Sequence, residues 1–172
     1  DPPRGAAPEE WPVRLQSRLL TDAAPELAIV CREVMAVYAR RFAPFHLIVT
    51  SVWRSPLVQE ALYAQGRVQS KTELNAIRDR ACLPPIYDED EAHRVVTWTR
   101  ASNHTRTPSR AVDFAVAIDP DGPAGPLKPR IDWDDERRYR QMGEIAEGLG
   151  LVWGGRWKRP DMCHVELPKV EA

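Results

Sequence analysis

AVDFAVAI, residues 111–118, is an apolar run with a single charge in it, and it decides the architecture. In an extended chain, side chains alternate between two faces. Val112, Phe114 and Val116 therefore share one face, and Ala111, Asp113 and Ala115 the other. The first is a core face. The second holds a carboxylate between small neighbours, in surroundings where an unpartnered acid is costly. The run predicts an inner strand with room above Asp113 for a metal ion and a substrate chain.

Further strands are predicted outward from this one. HLIVTSVW (46–53) is β-branched and apolar, RVVTWT (94–99) is shorter, and 151–153 and 162–167 flank the Gly154-Gly155 turn. Helices alternate with them. Leu27, Val30, Cys31, Val34, Val37 and Tyr38 recur at helical spacing within 24–41, with Pro25 tolerated in the first turn. Ser55 is placed to cap a helix through Gln65, with Gly66 to stop it. Residues 72–81 and 134–148 complete the set, the last ending at Gly148 or Gly150. Pro-Gly-rich 119–130 reads as a loop, and 1–13 as a flexible tail. The expected fold class is α+β: one domain over 14–172, a small antiparallel sheet with helices packed on one side, and a metal cleft on the sheet above Asp113.

Composition removes several classes. The chain has 172 residues, 43% hydrophobic and 28% charged, with a formal net charge of -1. That balance gives no electrostatic case for nucleic acid. No apolar run reaches the roughly 18 residues of a membrane span. The cysteines, Cys31, Cys82 and Cys163, are widely spaced and odd in number, which argues against a disulfide framework. A monomer without membrane insertion or nucleic-acid partner is expected. No secretion signal is visible, so the location is left open between a lysis enzyme released inside a cell and an exported one.

The chemistry gathers around His104, Asp113 and His164. Two histidines and a carboxylate suffice for a catalytic zinc, whose fourth position is left to water. If 162–167 is extended, His164 and Glu166 share a face and Cys163 points the other way, toward the core. Taken alone, a histidine and an aspartate nine positions apart have no metal specificity.

Four blocks in order supply it. They are SVWRSPLVQEALYAQGR (51–67), VVTWTRASNHTRTPSRAVDFA (95–115), IDWDD (131–135) and GLVWGGRWKRPDMCHVEL (150–167). Together they resemble the VanY-type zinc peptidases of bacterial peptidoglycan, which include L-alanyl-D-glutamate endopeptidases used as phage endolysins. The resemblance implies Zn2+ held by His104, Asp113 and His164, with Asp161 as general base and Arg54 on the scissile carbonyl or its oxyanion. Ser102, Glu166 and Gln59 become positioning or substrate-binding candidates. The implied partner is the peptidoglycan stem peptide. Two departures stand out. Eight residues separate His104 from Asp113 where the family has six, so a bulge near Thr107-Pro108 is expected. Residues 68–94 exceed the family's short link and are expected to form a lid or side wall of the cleft. A D-Ala-D-Ala carboxypeptidase would use the same ligands. A non-catalytic zinc or cell-wall-binding module could dispense with Asp161. A nuclease is disfavoured by the charge.

Overall fold

The computed structural model describes residues 14–120 and 128–169. The expected tail at 1–13 and most of the expected loop at 119–130 lie outside the described residues. The strand read from AVDFAVAI is β4 (Ala111–Ile118), and it is the middle of the molecule. On one edge it pairs antiparallel with β2 (Phe45–Ser51). On the other it pairs with β7 (His164–Glu166) through its first three residues and with β5 (Arg130–Ile131) through its last two. β6 (Val152–Trp153) adds to β7, giving the order β2-β4-β7-β6. A separate two-stranded piece joins β1 (Gln16–Ser17) to β3 (Trp53–Arg54).

Two helices cover one face of the sheet. α1 (Pro25–Phe42) buries Leu27, Cys31, Val34 and Tyr38, close to the positions its periodicity marks. α5 (Glu136–Gly148) starts where the Asp135 side chain accepts a hydrogen bond from Arg138 N at 3.1 Å. That cap gives the IDWDD block its structural meaning. Both helices pack on Val112, Phe114 and Val116, the face predicted as core. Burying side chains of this size is worth about 1.5–3 kcal/mol each.

α2 (Pro56–Ala64) is capped by Ser55 as expected, and Gly66 follows it at φ +78. α3 (Lys71–Arg80) and α4 (Glu89–His93) fill residues 68–94, where an acidic stretch gave no helix reading for α4. This segment builds a small core of its own, in which Leu74, Ile86 and Ala92 meet Ala64 of α2. Asn75 clamps the backbone of Ile86 from both sides, donating to its carbonyl and accepting from its N–H, each at 2.9 Å. The expected lid is not what forms. No residue of 68–94 lines the cleft, so the segment forms neither a lid nor a side wall.

RVVTWT is not a strand. Its carbonyls are taken by side chains instead of a neighbouring strand. Gln59 Nε2 donates to Thr99 O at 2.7 Å, and Arg67 donates to Thr97 O at 3.0 Å. Alternation predicts which faces a segment has, but pairing needs a free sheet edge. The Gly154-Gly155 turn closes as one turn of 3-10 helix (Gly154–Arg156).

Candidate metal centre

Three elements bring the three candidate ligands together. Asp113 and His164 are direct cross-strand partners on β4 and β7. β2 bulges between Val49 and Ser51, opposite Asp113, and the Thr50 hydroxyl donates to the Asp113 carbonyl at 3.1 Å. His104 sits on a 3-10 turn (Asn103–Thr105) whose first N–H groups include one bonded to Ser102 Oγ at 3.2 Å. Ser102 thus caps the turn that carries a ligand and also lines the cleft.

The segment between His104 and Asp113 is anchored through Ser109. Ser109 is fully buried, and its hydroxyl donates to Val52 O at 2.7 Å. Its backbone bridges to Ala23 and bonds Asp22 and Ala24, so the segment is pinned to the start of α1.

His104 Nε2 lies 3.0 Å from Asp113 Oδ1, and His164 Nδ1 lies 2.9 Å from the same oxygen. The two nitrogens are 3.3 Å apart. A four-coordinate ion with bonds of about 2.0–2.1 Å separates its ligand atoms by roughly 3.3 Å. The cluster therefore fits a tetrahedral ion with little adjustment. The far ring nitrogens are both committed: His104 Nδ1 meets Val52 O at 2.7 Å, and His164 Nε2 meets Glu166 Oε2 at 2.9 Å. Each imidazole can donate outward to these partners, which would leave its inward nitrogen free to hold a metal, the arrangement metal-binding histidines use. All three ligands are buried, and this is the one such cluster found among the described residues.

Charge is balanced with care. Burial alone would raise the Asp113 carboxyl, but His104, the hydrogen bonds from both histidines and Arg54 together hold it well below the carboxylate range. Burial would lower His164, yet hydrogen bonds to Asp113 and Glu166 lift it to about 9. Arg54 Nη2 donates to Asp113 Oδ2, the oxygen turned away from the histidines. β1 pairs with this strand and holds its register.

A cleft of about 1050 Å³ opens over the cluster. One wall is 95–106, the other Trp157 to Asp161, with Glu166 and Lys169 at its edge. Trp157 lies against His164, with ring centroids 5.0 Å apart. Asp161 is in the lining, and its Oδ1 accepts from the Cys163 thiol at 3.2 Å. Cys163 is half-buried at the core edge; burial first, then Asp113 and Asp161, push its thiol up, so it stays protonated. Gln59 is buried and reaches neither the arginine strand nor the cleft lining; it braces the 97–99 wall. Sequence reading missed Val52 and Ser109. Val52 acts through its carbonyl, which no residue type announces.

Residues 96–167 match the family profile described as D-alanyl-D-alanine carboxypeptidase, Peptidase_M15_4. Over this stretch the chain is similar to the VanY-type peptidoglycan peptidases. It is 29% identical over 130 residues to the peptidoglycan L-alanyl-D-glutamate endopeptidase CwlK of Bacillus subtilis. That match spans 70% of this chain and 60% of CwlK. Its fold matches that of the L-Ala D-Glu endopeptidase ChiX of Serratia marcescens, with a TM-score of 0.52 at 21% identity over 91% of this chain and 90% of ChiX.

Proposed function

We propose that this chain is a zinc-dependent peptidase of the peptidoglycan stem, cutting as an L-alanyl-D-glutamate endopeptidase of endolysin type. The observation that carries the reading is the inward-facing triad of His104 Nε2, Asp113 Oδ1 and His164 Nδ1, beneath a cleft that also contains Asp161. Two nitrogens and a carboxylate oxygen suit zinc better than magnesium or calcium, which favour oxygen. Bound there, zinc would polarise the substrate carbonyl and bring the pKa of a water to about 7.

The chain's own groups divide the remaining work. Asp161 accepts the proton of the attacking water and returns it to the leaving amine. Arg54 sets the orientation of Asp113 through Oδ2 and lines the cleft, where its guanidinium faces charge developing on the carbonyl oxygen. Glu166 fixes the tautomer of His164. Ser102 holds the His104 turn, and Trp157 closes one side of the site.

Asp161→Asn keeps the shape and removes the base. Zinc content measured by atomic absorption stays near one per chain, while turnover on purified cell walls falls about 10²–10⁴-fold. Normal digestion by this variant would end the mechanism. A second reading has its own support, since the matching family profile is described as a carboxypeptidase. Mass spectrometry of products from defined muropeptides separates the two. Release of terminal D-alanine alone would decide for the carboxypeptidase.

A further inference from the structure

The cleft does not share the charge balance of the chain. Lys and Arg number 24 against 25 Asp and Glu overall. In the cleft lining, Arg54, Arg106, Lys158, Arg159 and Lys169 meet only Asp113, Asp161 and Glu166. Those acids are engaged already. Asp113 serves both histidines and Arg54, Glu166 serves His164, and Asp161 accepts from Cys163. Arg54 is thereby matched. Among the described residues, the other four cations have no carboxylate partner, whereas other exposed arginines find one, such as Arg100 with Glu60 and Arg156 with Glu147.

One of the four is held in place without being neutralised. The Arg159 guanidinium lies 4.0 Å from the centroid of the Trp98 ring, and Trp98 belongs to the opposite wall. A cation on an aromatic face gains a fixed position and keeps its charge. The Trp98 wall is itself fixed by the bonds from Gln59 and Arg67. The four cations come from three segments: Arg106 follows the His104 turn, Lys158 and Arg159 follow Trp157, and Lys169 follows β7. Like charges converging on one concave site focus the field upon it. They leave it short of an anion.

We infer that Arg106, Lys158, Arg159 and Lys169 form a collar that selects peptides bearing a free carboxylate close to the scissile bond, with Arg159 on Trp98 as its fixed member. This rests on the peptidase reading above and names the kind of peptide the site prefers. Carboxylates accept charge-assisted hydrogen bonds from such groups, and an amide in the same place does not recover them.

The test uses the zinc-loaded full chain and two stem peptides containing L-Ala-D-Glu, one with the glutamate α-carboxylate free and one amidated there. The free acid is expected to be preferred by about tenfold or more in kcat/KM, mostly through KM, with the preference shrinking as salt rises. Arg159→Gln should bring the ratio close to one, and Arg159→Lys should restore part of it. Thermal melting confirms that each variant is folded, and Lys158→Gln is the substitute if Arg159→Gln is not. Equal kcat/KM for both peptides in the unsubstituted protein, or a ratio untouched in folded Arg159→Gln, overturns the collar while leaving the peptidase intact. If neither peptide is cut, the peptidase reading fails, and calorimetry of the same two peptides decides for the collar. Tighter binding of the acid sustains it, and equal binding ends it.

Discussion

At the scale of single residues, the centre depends on where protons sit. Glu166 is the outer partner of His164, and replacing it with glutamine keeps the shape but weakens its hold on the ring. Glu166→Gln should lower zinc affinity roughly 10–100-fold, as measured by competition with a chromophoric chelator. Unchanged affinity would show that Val52 and packing suffice. A pH effect follows from His164. Its pKa in the folded metal-free chain is raised from 6.5 to about 9. The associated stability is therefore fully present below about pH 6.5 and is lost as pH rises toward 9. Melting curves in chelator should show the midpoint falling across that window, and a flat profile would contradict it. The faces of Asp113 in an apolar strand and of His164 beside Glu166 were legible from side-chain alternation, whereas grouping them with His104 as candidate ligands came only from the four-block resemblance. The tautomer of His104 was not legible, since its partner is the backbone carbonyl of Val52, 52 positions earlier in the chain, and no residue type announces a carbonyl.

At the scale of elements, the WGG turn shows what a motif means physically. Trp153 is almost wholly buried and donates from Nε1 to Met162 O at 2.9 Å. Its ring occupies space that a side chain at Gly143 or Gly155 would need: a Cβ at either would fall 2.1 Å from a ring carbon. A Cβ at Gly154 would sit 2.6 Å from Asp161 O. Gly154 and Gly155 let the turn close, with Gly154 O accepting from both Trp157 N and Asp161 N, and so place Asp161 near His164. Gly143→Ala should destabilise the protein by about 1–3 kcal/mol in chemical denaturation, although alanine is the better helix former. Gly148, in the same helix, has nothing within 4 Å of its would-be Cβ, and Gly148→Ala should be neutral or stabilising by up to about 1 kcal/mol. Equal effects would refute the packing account. α1, α2, α3 and α5 were readable from spacing and caps, and α4 was not, because its five residues are mostly acidic and show no apolar period. RVVTWT was misread as a strand because alternation reports faces, while the bonds from Gln59 and Arg67 depend on tertiary placement.

At the scale of the whole molecule, the centre joins parts of the chain that touch only after folding. The Asp113–His164 pair bridges 51 positions and the Arg54–Asp113 pair 59. Zinc at about a hundredfold over its dissociation constant should add about 2.7 kcal/mol to stability, seen by scanning calorimetry as a raised midpoint that chelator reverses. No shift would leave the triad without a metal role. The sheet order was only partly legible, because β1, β5 and β6 are two-residue strands with too few positions to show a period. No helix of the described residues is long and apolar enough to cross a membrane. The central place of β4 also sets a timetable. β2 can pair with it as soon as residue 118 has been made, but the opposite edge over Ala111–Asp113 stays bare until His164–Glu166 arrive. At about 5–20 residues per second, a growing chain spends several seconds with His104 and Asp113 made and Asp161, His164 and Glu166 still to come.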